Sequence, residues 1–223
     1  MAMDALILIP VLMFSIVVHE VAHAWQARRE GDNTAHDLGR ITFNPIPHLD
    51  LLGSVIVPAM LYASGTGFLF GWAKPVPVNP ANYREYVAGD IRVSMAGIVS
   101  NLILAAISTV LLAIVVKVDT MTSSGGMVLN SLRQGLEWSL LINLVLAFFN
   151  LLPIPPLDGS HVLAHVLPSG LATKYRNFGQ YGILALICIM YLGRYTGFDL
   201  FSIVLWPVYF FVDIAYWFIR LWI

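Results

Sequence analysis

The sequence is poor in charge. Asp, Glu, Lys and Arg make up 11% of its 223 residues, while 58% are hydrophobic. A soluble domain carries about a quarter charged residues, so this composition excludes one and places the chain in a membrane. Cysteine is nearly absent. Cys188 stands alone, which rules out an internal disulfide and removes any need for an oxidising compartment. There is no excess of either sign, the net charge being -1, and no basic stripe, so nucleic acid is not an expected partner. The N-terminus lacks a basic leader region and a small-residue cleavage site. Its first apolar stretch is therefore expected to be a retained span rather than a signal peptide. Internal repeats and low-complexity tracts are also missing.

What the chain does have is long apolar runs. A span needs about 20 such residues, and four stretches fit: 5–27, 93–116, 138–157 and 200–219. Pro153, Pro155 and Pro156 should end the third helix near Leu151. A fifth candidate, 178–192, is shorter. The stretch "LLGSVIVPAMLYASGTGFLF", 51–70, is apolar but broken by Gly53, Pro58, Gly65 and Gly67. It either spans or enters and returns. If it returns, Arg28, Arg29, Arg40, Lys74, Arg84, Arg92, Lys174, Arg176 and Arg220 share one side, against Lys117, Arg133 and Arg194 on the other. If it spans, the basic residues divide equally. The positive-inside rule prefers the lopsided count. The expected fold is an all-α polytopic bundle of five to six transmembrane segments, with a re-entrant or broken segment and short extended or β stretches near the active site. The N-terminus is expected outside and the C-terminus in the cytoplasm. One membrane domain is expected over 1–223, with a catalytic core at about 5–167 and C-terminal spans at about 176–220.

Inside the first span lies "SIVVHEVAHAW". A charge in hydrocarbon costs roughly 2.5–3.5 kcal/mol or more, so Glu20 between two imidazoles needs a reason. His19 and His23, at i and i+4, share one helix face and can point at one ion. Glu20 sits beside them as a base for water. This is the H-E-x-x-H arrangement of zinc hydrolases. A catalytic zinc usually takes a third protein ligand. The third histidine of soluble metalloproteases is missing, because Arg29 holds that position. His36, Asp37, His48 and Asp50 remain open by spacing. The better candidate is Asp158 in "NLLPIPPLDGSH", where a proline-broken helix ends in Asp-Gly; non-helical backbone at membrane depth is tolerated where it lines a cavity. Under the re-entrant topology Asp158 arrives at the same depth as the histidines. Under the spanning one it arrives at the opposite face.

The pair "HEVAH" and "NLLPIPPLDG" resembles the site-2 protease family of zinc intramembrane metalloproteases. "GDNTAHDLGRITFNPIPHLDLLGSVIVP" and "GWAKPVPVNP" look like its compact branch without PDZ domains. "AGIVSN", 96–101, resembles the family's Ala-Gly-Pro-x-x-Asn segment, with Ile98 in place of proline. The likeness runs from about Leu12 to Leu167. It implies that His19, His23 and Asp158 bind one zinc per chain, that Glu20 is the catalytic base and that Asn150 helps bind the scissile peptide or its oxyanion. It implies transmembrane protein substrates cut in the bilayer, a multi-pass place in the cell membrane and an active site toward the cytoplasm. An adaptor protein or a homo-oligomer would have to supply the size filter of the missing PDZ domain. Iron, cobalt or manganese also suit such donors.

The expected chemistry is hydrolysis of a peptide bond after local unwinding of a substrate helix, whose carbonyls are otherwise held in i to i-4 bonds. "AKPVPVNP", 73–80, or a strand in 40–43, would hold the unwound substrate by strand addition, against the plainer alternative of a connecting loop. His161 and His165 are a second i, i+4 pair, read as supporting or interfacial rather than as a second metal site because no acid accompanies them on the same turn. Asp213 is an intramembrane acid with either a functional or a packing role. Asn101 and Asn143 are expected to bridge helices by hydrogen bonds. The rival readings are a metal or proton transporter using the His/Asp cluster, an inactive scaffold of the same fold, and a membrane zinc protease with a water-filled chamber.

Overall fold

A computed structural model describes residues 2–57, 59–60, 72–122, 126–182, 184–188 and 200–222. Its helices are α1 (Ala2–Glu30), the single turn α2 (Thr34–Asp37), α3 (Tyr86–Thr122), α4 (Met127–Asn150), α5 (Gly159–Val166), α6 (Ser169–Phe178) and α7 (Leu200–Trp222). Among the described residues there is no strand. Among the described residues three helices are long and apolar enough to cross a membrane: Leu6–Glu30, Tyr86–Thr122 and Met127–Asn150. The chain is a membrane protein. The third apolar run does stop where the prolines demand, with α4 ending at Asn150. The run expected at 200–219 lies in α7. Of 178–192, Phe178 is the last residue of α6, 179–181 form a 3-10 turn, and 182 and 184–188 are helical; 183 and 189–192 fall outside the described residues.

α1, α3 and α4 pack together, and α7 closes on α3 and α4. The shared core is Ala105, Leu140, Leu144, Val208 and Ala215. Water gives helices no reason to associate inside lipid, so close packing and buried polar contacts must hold them. Ser108 of α3 donates to Ser139 of α4 at 2.8 Å, and Asn101 and Asn143 are fully buried between α1, α3 and α4. Large apolar side chains such as Phe14, Ile103 and Ile114 face outward, where lipid receives them.

The connection between α1 and α3 is fastened to α1 by acids. Arg92 of α3 grips Glu30 through two bonds of 2.8 and 2.7 Å, the bidentate form that fixes geometry as well as charge. Asp32 is buried and accepts from the Asn79 amide N–H at 2.7 Å and from Asn82 Nδ2 at 2.8 Å. Burial alone would raise its pKa; the donors of Thr34, Asn79 and Asn82 outweigh burial and hold it below the usual carboxylate range. These ties lay residues 72–79 across α1 as an extended strap. The strap forms no ladder with any described residue. Two of its donors are spent elsewhere: Lys74 N–H on the His48 carbonyl, Val76 N–H on Glu20. Pro75 and Pro77 offer none.

Of the 51–70 stretch, residues 51–56 form a turn of π-helix whose first amides are capped by Asp50; 61–71 lie outside the described residues. The chain on either side meets again: Trp72 N–H donates to the Gly53 carbonyl at 3.1 Å, and Ser54 Oγ donates to the Trp72 carbonyl at 2.9 Å.

Candidate metal centre

His19 and His23 point from α1 toward α3, as their i, i+4 spacing requires. Their Nε2 atoms lie 3.0 Å apart. Asp158 comes from the turn after α4. Gly159, the first residue of α5, packs so tightly on the Leu151 carbonyl that a Cβ would overlap it; only glycine lets the chain turn there. The Asp158 side chain does not cap α5 and turns instead to the histidines, its Oδ2 lying 3.2 Å from His19 Nε2 and 3.3 Å from His23 Nε2. Among the described residues these three form the group of His, Cys, Asp or Glu donors close enough to share an ion, with ligand atoms within 4.8 Å of one another.

The protons can be placed by following the hydrogen bonds outward. The Ser139 carbonyl can only accept, so Asn143 turns its Nδ2 toward it, at 2.8 Å. Asn143 Oδ1 must then accept from Asn101 Nδ2, at 2.7 Å. Asn101 therefore presents Oδ1 to His19 Nδ1, at 2.5 Å. His23 Nδ1 faces the Val93 carbonyl at 2.7 Å. Both imidazoles donate from Nδ1, which leaves both Nε2 atoms with lone pairs turned inward. Asp158 Oδ2 adds a third, and it is buried with no hydrogen-bond partner. Three lone pairs converging without a donor call for a cation between them. Gly97 of α3 backs the cluster; a Cβ there would collide with His23 Nε2 and the His19 ring. Two imidazoles and a carboxylate are a donor set that suits zinc, and the residues present fit such an ion.

Glu20 is half-buried, and its Oε2 accepts the Val76 N–H at 2.8 Å. Asn150 is not turned toward the cluster: its Nδ2 donates one turn back to the Leu146 carbonyl at 2.9 Å. The other open ligand candidates are occupied elsewhere. His48 is buried and bonds the Thr42 carbonyl, Asp50 caps the π-turn, and His36 pairs with Asp37 at the surface. Asp213 lies on the exposed face of α7. His161 and His165 face Asp90, an acid 71 residues before His161 and so out of reach of reasoning along one turn. The sequence reading gave Asn101 and Asn143 a bridging role only. It did not foresee that they orient His19, nor that Gly97 and the Val76 amide adjoin the cluster. The signal available for Asn101 and Gly97 was their place in "AGIVSN".

A family model described as "Peptidase family M50" matches residues 114–192, a range holding Asn150 and Asp158. The chain is 38% identical over 208 residues to "Putative zinc metalloprotease YwhC" of Bacillus subtilis (strain 168), covering 90% of this chain and 84% of that protein. No solved structure matches.

Proposed function

The chain belongs to peptidase family M50, the site-2 protease family, and from that premise we propose that it is an intramembrane zinc endopeptidase that cuts membrane proteins within or near their transmembrane segments. The observation that carries the proposal is the orphaned Oδ2 of Asp158, facing two imidazole lone pairs. His19, His23 and Asp158 are the residues that would hold one zinc ion. A zinc ion there supplies Lewis acidity, which polarises a carbonyl and makes water a competent nucleophile at neutral pH. Asn101 and the Val93 carbonyl keep the imidazoles in the ligating tautomer. Glu20 is the base: Val76 N–H pins Oε2, and Oε1 is left to take a proton from water and return it to the leaving amine. Asn150 can serve as a donor to the developing oxyanion after its amide leaves the Leu146 carbonyl.

The meeting of Gly53 and Trp72 supports a segment that returns to the side it left. With the basic residues counted above, it supports five spans plus a re-entrant segment, the N-terminus outside and the active site toward the cytoplasm, all within one membrane domain over 1–223. In this reading α7 is a further span beyond the three apolar helices.

The test is cleavage by the purified chain in lipid bilayers. Reconstituted with single-span membrane proteins, it should generate new termini inside or beside the span. Chelation should stop this, and added zinc should restore it. Metal flux across the bilayer without any new terminus would replace the protease reading with a transporter.

The strap bears on substrate handling. Its spent donors make it a poor edge for strand addition, and its contact with Glu20 suits orientation of the base. Val76→Pro removes that N–H. A hydrogen bond to a charged group contributes about 1.5–3 kcal/mol, so kcat should fall roughly tenfold or more, with KM little changed. A rise in KM with kcat intact would instead assign the strap to substrate holding.

A further inference from the structure

Among the described residues a second cluster of titratable groups lies outside the proposed metal centre. Asp90 of α3 is buried, and its Oδ2 accepts from His165 Nε2 at 2.7 Å and faces His161 Nδ1 at 3.2 Å. His165 Nδ1 faces Arg176 of α6 at 3.5 Å, and the Tyr86 ring stands edge-on to His165 with centroids 5.7 Å apart. Tyr86, Asp90, His161 and Arg176 line a cavity of about 320 Å³ between α3, α5 and α6.

The register of this cluster matches that of the metal centre. Asp158, His161 and His165 stand at i, i+3 and i+7, on one stripe of α5 and the residue before it. On α3, Asp90 and Gly97 are also seven residues apart, and Gly97 backs His19 and His23. Seven helical residues rise about 10.5 Å. α3 and α5 thus meet at two levels with the same spacing: Asp90 with His165 at one, Gly97 and the histidines of α1 with Asp158 at the other. α5 is an eight-residue helix, too short to be stable alone, so its position depends on what grips it. At its start the grip is Gly159 on the Leu151 carbonyl; at its far end it is Asp90.

We propose that Asp90 is a positioning residue: by clamping His161 and His165 it sets how far α5 pushes the Asp158 carboxylate toward His19 and His23, and so tunes metal affinity at a site it does not touch. The proposal rests on the metal centre proposed above. Zinc affinity of the full-length chain in lipid nanodiscs, measured by competition with a chelator, tests it. Asp90→Ala and His165→Ala should each weaken zinc binding by about 10–100-fold, the range seen for residues that orient ligands. The double variant should be no weaker than either single one, because both break one clamp. Asp90→Asn, which keeps an acceptor, should recover most of the affinity. Activity lost in Asp90→Ala should return as zinc is raised, which a general packing defect would not allow. If Asp90→Ala does not fold, His161→Ala and His165→Ala carry the same test from the other partner. Wild-type affinity in the single variants, or losses that add in the double, would overturn the clamp alone. A wild-type chain that takes up no zinc would overturn the metal centre itself.

Discussion

Asp158→Ala is expected to yield a folded membrane protein with almost no zinc, where the wild type carries about one ion per chain. The carboxylate supplies one of three inward-facing donors and the negative charge that offsets a divalent ion. Two neutral imidazoles remain, and their Nδ1 atoms are held by Asn101 and the Val93 carbonyl whether or not metal is present. Affinity should fall by more than the hundredfold that marks the upper range for residues behind the ligands. The apo chain should not suffer, because removal of the orphaned Oδ2 relieves the convergence of lone pairs. Metal analysis of the two proteins side by side reads the result. A variant that keeps a full equivalent of zinc removes Asp158 from the site.

Glu20→Gln separates chemistry from metal. The amide has nearly the shape of the carboxylate, and its oxygen can still accept the Val76 N–H, so the strap should stay in place. It cannot take a proton. General acid–base contributions run at about 10²–10⁴-fold, and turnover should fall by that amount or more, with zinc content at the wild-type level. Turnover within tenfold of wild type would take the base assignment away from Glu20.

The sequence carried the local parts of this site and missed the lateral ones. The i, i+4 spacing of His19 and His23 placed both rings on one face, since helix geometry alone decides that. The prolines after Asn150 ended α4 where the backbone chemistry of proline demands. Asp158 was reachable because it follows a proline-broken helix and precedes a glycine, a local pattern. Contacts between helices are different in kind. Asp90 meets His165 across 75 residues, and no period in the chain encodes the angle at which α3 crosses α5. The same holds for Asn101, whose polar character was legible but whose partner was not. The strap shows what a local rule leaves open: alternating prolines and valines suggested an extended edge, but the ties to Asp32, Glu20 and His48 lie outside that pattern.

The chain of amides from Ser139 to His19 also bears on how the protein is made. His19 and His23 emerge from the ribosome early, but the groups that satisfy them come later: Val93, Asn101, and finally Asn143, 120 residues after His23. At 5–20 residues per second, the opening span waits roughly 6–24 s with unpartnered imidazoles and a carboxylate in or beside lipid. It must therefore shelter in the insertion machinery, or bind a metal or water, until α4 arrives. Slowing translation between residues 24 and 143 should lengthen that exposure and raise degradation of the nascent chain.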